Sequence, residues 1–218
     1  MNRYIDHTLL HADATLKQIH KICEEAIAYN FATVCINSSY VRDANEILKD
    51  SESKVCTVIG FPLGACTTKA KVEEAKQAIT DGASEIDMVI HQGKLKSKEF
   101  DYVRADIQAV KNAIGNHILK VILEICNLTN DEIATACQLS EQAGADYVKT
   151  STGFGSHGAT LEAVKIMKDN VSEKVKIKAS GGIRDAETAK RYIDLGVSRI
   201  GASAGIAIVE GTSSNSTY

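Results

Sequence analysis

Two lysines, Lys149 and Lys178, and one aspartate, Asp87, are the residues of this chain best placed to do covalent chemistry. Each sits near the end of an apolar, β-branched run: Lys149 in "ADYVKTS", Lys178 in "KVKIKAS" and Asp87 in "SEIDMVI". A lysine at the end of a buried strand is costly unless it is paired, neutralised or used. If neighbouring strand ends bring the two ammonium groups close, the like charge and partial desolvation lower a lysine pKa. A lysine in that state is a nucleophile that forms a Schiff base with a carbonyl. Asp87 could shuttle protons beside it, directly or through water. The competing reading is a structural salt bridge of Asp87 with Lys149 or Lys178, and spacing alone does not separate the two.

A second set of residues is small rather than reactive. "SGGIR" follows Lys178, "GASAG" spans Gly201 to Gly205, and "STGFG" follows Lys149. Such loops let backbone N–H groups approach an anion. Singly they would read as tight turns. On successive strand ends they point to the phosphate of a small phosphorylated molecule. Other strand ends offer Asp6, His7 and Thr8, then Cys35 and Asn37, then Glu124 and Cys126.

The elements that must position these residues alternate strictly. Eight strand-like runs begin at Arg3, Ala32, Lys54, Ser84, Ile118, Ala145, Lys174 and Val197. Helical patterns such as "TLKQIHKICEEAIAYN", "TTKAKVEEAKQAITDG" and "RDAETAKRYIDLG" lie between them. Two of these close on Gly82 and Gly196, glycines expected just past a helix C-terminus. Alternating strands and helices predict parallel strands with crossover helices. The fold class is therefore α/β, a single (β/α)8 TIM barrel over residues 1–218, with a short polar tail at about 211–218. A doubly wound sheet is the alternative, but its usual glycine-rich loop is missing from the first turn, "DHTLLHADAT". Strand alternation also predicts a charged barrel interior. Glu85 should share the face of Asp87, Lys176 that of Lys178, and Lys120 that of Glu124. Charges buried together must be paired.

Composition narrows the function classes. Charged residues make up 24% of the 218 residues and the net charge is −3 with no basic block, which argues against nucleic acid and anionic membrane surfaces. No apolar run approaches the ~20 residues needed to span a bilayer. The N-terminus, "MNRYIDHTLL", is polar too early for a signal peptide, so the chain reads as cytoplasmic. The six cysteines form no C-x-x-C pair and read as small buried hydrophobes in a reducing compartment. No metal site is expected from the six histidines.

The motifs "IDHTLL", "VCINS", "GFPLG", "EIDMVI", "KVILEIC", "YVKTSTGF", "KASGGIR" and "RIGASAG" resemble those of the deoxyribose-phosphate aldolase family. The likeness runs over nearly the whole chain, one motif per strand end. It implies a class I aldolase that reversibly cleaves 2-deoxy-D-ribose 5-phosphate into D-glyceraldehyde 3-phosphate and acetaldehyde. No cofactor is implied, because the lysine imine is the electron sink. In that pattern Lys149 is the Schiff-base nucleophile, Lys178 the second lysine that lowers its pKa, and Asp87 the proton-transfer group. Asp6 would hold Lys178, with Thr8 and Cys35 supporting the site. Cys35 would be open to attack by reactive aldehydes. Gly153, Gly181, Gly182, Gly201 and Ser203 would cradle the phosphate.

Several positions depart from the family pattern. His11 and Ala12 stand where a lysine and proline are common, and Phe154 where some members place a lysine, so no charged phosphate contact is expected from that loop. The resemblance also implies a homodimer, and a visit of the terminal Tyr218 to the site. Eight residues from Gly211 extend at most about 27 Å, at roughly 3.4 Å each, which permits it. Two alternatives stay open: another lysine-dependent phosphosugar aldolase of this fold, and a phosphosugar-binding barrel without chemistry, in which the lysines are only ion-paired.

Overall fold

β1 (Ile5–Leu9) follows a single 3-10 turn at Asn2–Tyr4 and opens a series of eight strands. The structure is a computed structural model and describes residues 1–212. The order continues α1 (Leu16–Tyr29), β2 (Thr33–Ile36), α2 (Val41–Leu48), β3 (Lys54–Ile59), α3 (Thr68–Thr80), β4 (Glu85–Val89), α4 (Gln92–Lys96) and α5 (Phe100–Ile114). Then come β5 (Ile118–Ile122), α6 (Asn130–Gln142), β6 (Tyr147–Lys149), α7 (Leu161–Asp169), β7 (Lys176–Ser180), α8 (Ala186–Asp194), β8 (Arg199–Ala202) and α9 (Gly205–Glu210). Every strand pairs in parallel with the next, and β8 returns to β1 with Asp6 opposite Gly201. That closing pair makes the (β/α)8 barrel and excludes the open doubly wound sheet.

Local chemistry starts and stops the helices. Thr15 with Gln18 and Thr129 with Glu132 form capping boxes at α1 and α6. Thr67, Thr160 and Asp185 accept backbone N–H bonds at the starts of α3, α7 and α8. Gly82 and Gly196 stand just past α3 and α8 at φ 109° and 105°, as the sequence predicts. Gly82 also lets α2 come close, since a Cβ there would meet the Asn45 side chain at 2.4 Å.

The two faces of each strand divide the protein. On β4, Ile86 and Met88 join the apolar layer beneath the helices, while Glu85 and Asp87 turn into the barrel. The interior is an ion-pair network, as alternation predicts, but with two changes of membership. Lys176 is exposed, its Nζ 5.9 Å from the centre of the Tyr147 ring. It is the first residue of β7, so it stands at the rim where water solvates the ammonium. Arg199 supplies the deep cation instead, bridging Asp6 and Glu85. Glu124 leaves the face of Lys120 because β5 ends at Ile122 and Glu124 takes φ 57°. Its carboxylate accepts from the Thr152 backbone N–H at 3.2 Å and from the Thr152 hydroxyl. The cysteine expectation holds for Cys23, Cys35, Cys56 and Cys137; Cys66 is exposed and Cys126 half-buried because both lie in loops at the ends of strands.

Candidate active site

Lys149 ends β6 directly opposite Lys178 of β7. Alternation sends both side chains inward, where Asp87 reaches them from β4. The Oδ2 atom of Asp87 accepts from Lys149 Nζ at 2.8 Å and from Lys178 Nζ at 2.8 Å. Its Oδ1 atom accepts from Lys120 Nζ at 2.7 Å and from the Cys56 thiol at 3.2 Å. Lys149 is 2% exposed, and Asp87, Lys120 and Lys178 are wholly buried.

A second tier of charge lies beneath. Lys178 Nζ is 2.5 Å from Asp6 Oδ2, an ionic contact rather than a directed hydrogen bond. Lys120 Nζ lies 2.6 Å from Glu85. Arg199 donates to both Glu85 oxygens at 2.9 and 3.1 Å and to Asp6. Burial alone would raise the carboxyl pKa of Asp87, yet Lys120, Lys149 and Lys178 outweigh it and hold the group well below the usual carboxylate range. Asp6 is likewise held low, with Arg199 and Lys178 overcoming burial. Burial would drive Lys178 toward the neutral amine, but Asp6 and Asp87 raise its pKa above the ordinary lysine value. Lys178 is therefore a standing positive charge beside Lys149.

Above this network opens a small cavity, ≈ 10 Å³, lined by Thr8, Lys149, Thr152, Ser180, Gly181 and Gly201. The sequence thus picked out four of its six wall residues. The Thr8 hydroxyl donates to the Asp6 carbonyl at 2.8 Å. Gly181 has φ 86°, and a Cβ there would lie 2.8 Å from the Gly158 Cα and 3.7 Å from that of Gly153. Glycine is needed because the loops after β6 and β7 touch at this point. Gly182, at φ 79°, faces open space. Ser203 lines a neighbouring larger cavity, ≈ 680 Å³, together with His7 and Glu25; Thr8 belongs to both walls. His7 points away from the barrel interior and hydrogen-bonds Glu25 at 2.8 Å. Tyr218 lies outside the described residues. Phe154, 48% exposed, packs edge-on against Phe61 with ring centres 5.4 Å apart.

Two buried trios could ligate a metal by geometry: Cys35, Cys56 and Asp87, and Asp6, Cys56 and Glu85, each with donor atoms within 4.8 Å of one another. The same carboxylates already neutralise Lys120, Lys149, Lys178 and Arg199. A divalent ion there would have to displace these cations.

Arg199, Cys56, Thr152 and Ser180 were not singled out from the sequence as site residues. Arg199 had a signal, since it lies two residues before Gly201 and so shares its face. Cys56 had one only through its register with Cys35, which requires knowing the strand pairing.

A family profile described as DeoC/LacD family aldolase matches residues 1–212. The chain belongs to the DeoC/LacD aldolases. Among curated members, the deoxyribose-phosphate aldolase of Finegoldia magna is 58% identical over 211 residues, 97% of this chain and 99% of that one. That of Brevibacillus brevis is 54% identical over 211 residues, 97% and 96% of the two chains. Among solved structures, the tetrameric deoxyribose phosphate aldolase of Aeropyrum pernix is 30% identical, with a TM-score of 0.87 over 96% of this chain and 89% of that one. The DeoC/LacD assignment agrees with the motif at each strand end. Among the described residues, no helix of this DeoC/LacD chain is long and apolar enough to cross a membrane.

Proposed function

We propose that this protein is a deoxyribose-phosphate aldolase in which Lys149 is the Schiff-base nucleophile. The observation that carries the reading is the placement of Lys149 Nζ: at the floor of the mouth cavity, 2.8 Å from a buried carboxylate it shares with Lys178. The names of the relatives supply the substrate class.

The chemistry follows from those positions. The Lys149 amine adds to the C1 aldehyde of open-chain 2-deoxy-D-ribose 5-phosphate, and loss of water leaves an imine. The C3 hydroxyl gives up its proton and the C2–C3 bond breaks. Its electron pair passes into the imine to form an enamine, and C3 to C5 depart as D-glyceraldehyde 3-phosphate. The enamine takes a proton at C2, and water then releases acetaldehyde and the free lysine. Asp87, held ionised, orients the lysine and accepts hydrogen bonds from the hydroxyl or water that carries each proton. Lys178 is a positioning residue, since its fixed charge and Asp6 lock the Asp87 carboxylate. Gly181 and Gly201, with Gly153, Gly182 and Ser203 nearby, leave room for the phosphate against backbone N–H groups.

Residence in the cytoplasm and assembly as a homodimer belong to the same reading; light scattering of the purified protein tests the second. A non-catalytic barrel would also contain the Lys149–Asp87 ion pair. The deciding experiment is incubation with acetaldehyde and borohydride, followed by peptide mapping. A reduced two-carbon adduct on Lys149 is expected. An unlabelled Lys149 would leave the binding barrel as the better account.

A further inference from the structure

Two buried thiols beside the ion-pair network take no part in the mechanism above. Cys35 of β2 and Cys56 of β3 are register partners on adjacent parallel strands. Both are wholly buried, and their Sγ atoms lie within 4.8 Å of one another and of an Asp87 oxygen. Adjacent strands run about 4.7–4.9 Å apart, inside the Cα separation of about 4.4–6.8 Å that disulfides span. With Leu10, Val58 and Phe61 the pair forms a small apolar cluster separate from the main core. That cluster adjoins the mouth, because Cys35 is the register partner of Thr8, a residue of the cavity wall.

We infer that Cys35 and Cys56 are a redox-sensitive dithiol, closed to a disulfide by a hydroperoxide and reopened by a small thiol, which switches the Lys149 site off. The inference rests on the proposed catalytic role of Lys149 and Asp87. The oxidation balances as two thiols plus one peroxide giving one disulfide and two water molecules, when hydrogen peroxide is the oxidant. The Cys35 thiolate attacks a peroxide oxygen, the O–O bond breaks, and a sulfenic acid and hydroxide form. Cys56 then attacks the sulfenic sulfur, forming the S–S bond and expelling the second oxygen as water.

Three features single out this pair. The Cys35 thiol is lowered to about 7, chiefly through the adjacent Cys56 sulfur and further by the Lys178 and Lys149 charges, while burial pushes the Cys56 thiol well up, so Cys35 is the attacking sulfur and Cys56 its protonated partner. By contrast, burial pushes the thiols of Cys23 and Cys137 up to about 12. A disulfide is also neutral, so the ion-pair network accommodates it where a bound cation would be repelled. Finally, a peroxide is no larger than the carbonyl end of a substrate that must reach Lys149.

The consequence falls on Asp87. The Cys56 thiol donates to Asp87 Oδ1 at 3.2 Å and sits 3.2 Å from Lys120 Nζ. The disulfide removes that donor and draws the sulfur toward β2, which leaves Lys120 alone on Asp87 Oδ1 and shifts the carboxylate that orients Lys149.

The test uses full-length protein carrying Cys66→Ser and Cys126→Ser, which removes the two accessible thiols. The reduced sample must first cleave substrate and give the borohydride adduct on Lys149; failure there would be a failure of the aldolase reading alone. After hydrogen peroxide, a non-reducing digest is expected to contain the Cys35 and Cys56 peptides joined and lighter by two hydrogens. Cleavage should fall by at least about tenfold and return with dithiothreitol. Cys35→Ala in the same background keeps the Cys56 thiol on Asp87 and should lose both the joined peptide and the reversible part of the inactivation. The inference is overturned by absence of the joined peptide. It is equally overturned by its formation with unchanged cleavage, or by undiminished reversible inactivation in Cys35→Ala.

Discussion

Lys149 and Lys178 direct their Nζ atoms at one oxygen, Oδ2 of Asp87, each from 2.8 Å. The two lysines are not equivalent there. Lys178 has a second carboxylate, Asp6, at 2.5 Å, and no water-facing surface. Lys149 has only Asp87 among the described acidic groups and lines the cavity. In the proposed mechanism one lysine holds the carboxylate, and the other exchanges its hydrogen bond for a bond to substrate.

Replacing Lys149 by Leu removes the amine and leaves Asp87 paired to Lys120 and Lys178. Cleavage should fall by roughly 10³-fold or more, and the borohydride adduct should vanish. Unfolding in urea should change by only about 1–3 kcal/mol, the scale of one lost charged hydrogen bond. A variant that still turns over at a tenth of the normal rate would remove Lys149 from the mechanism.

Arg199 separates stability from catalysis. Arg199→Met leaves Asp6 and Glu85 each short of a buried partner, which should cost about 3–5 kcal/mol in chemical denaturation. Arg199 does not touch Asp87 or Lys149, so acetaldehyde should still trap on Lys149 in the folded fraction. Lys178→Met, by contrast, should lose a similar amount of stability and also cleave substrate poorly, because Asp87 Oδ2 is then held by Lys149 alone. Equal kinetic defects in the two variants would argue that the network acts only through stability.

Gly181 tests the phosphate end. Its φ of 86° and the 2.8 Å approach of the Gly158 Cα leave no room for a side chain. Gly181→Ala should raise KM for the phosphorylated sugar by about tenfold, equivalent to ~1.4 kcal/mol. The Lys149 adduct with acetaldehyde, which carries no phosphate, should form as before. Loss of both together would show that the loop supports the lysine rather than the phosphate.

The network also sets a pH window for stability. The carboxyl pKa values of Asp6 and Asp87 are lowered on folding. Their contribution is therefore complete above the unfolded value of about 3.9 and is lost as pH falls below it toward their depressed folded values. Lys178 is raised on folding, so its contribution is complete below the unfolded lysine value of about 10.4 and is lost only as pH rises beyond that. Denaturation midpoints should show no change from this network between those limits and should drop on either side. A midpoint that shifted steeply around pH 6 would point to a group outside this network.

The sequence by itself determined the order of strands and helices, the glycines that end α3 and α8, and the inward face of each strand. Those features follow from local rules: capping chemistry, glycine's freedom at positive φ, and the two-residue period of a strand. For the same reason Lys149, Lys178 and Asp87 could be read as one cluster, since all three fall on inward positions of strand-like runs; Lys149 ends β6, whereas Asp87 and Lys178 stand mid-strand rather than at the strand ends the sequence suggested. The tertiary structure decided what needed closure and register. Lys176 falls at the exposed start of β7 and Arg199 in the buried interior because the stagger of the closed barrel sets their depth, which no single strand encodes. Glu124 turns away from Lys120 because β5 stops at Ile122, two residues before it, and Thr152 offers a partner from the loop after β6. Cys35 and Cys56 come to face each other, against Asp87, only because β2 and β3 pair in one register out of several that their side-chain pattern allows. Long-range pairing fixes such contacts, and it depends on the energy of the whole closed sheet rather than on any one segment.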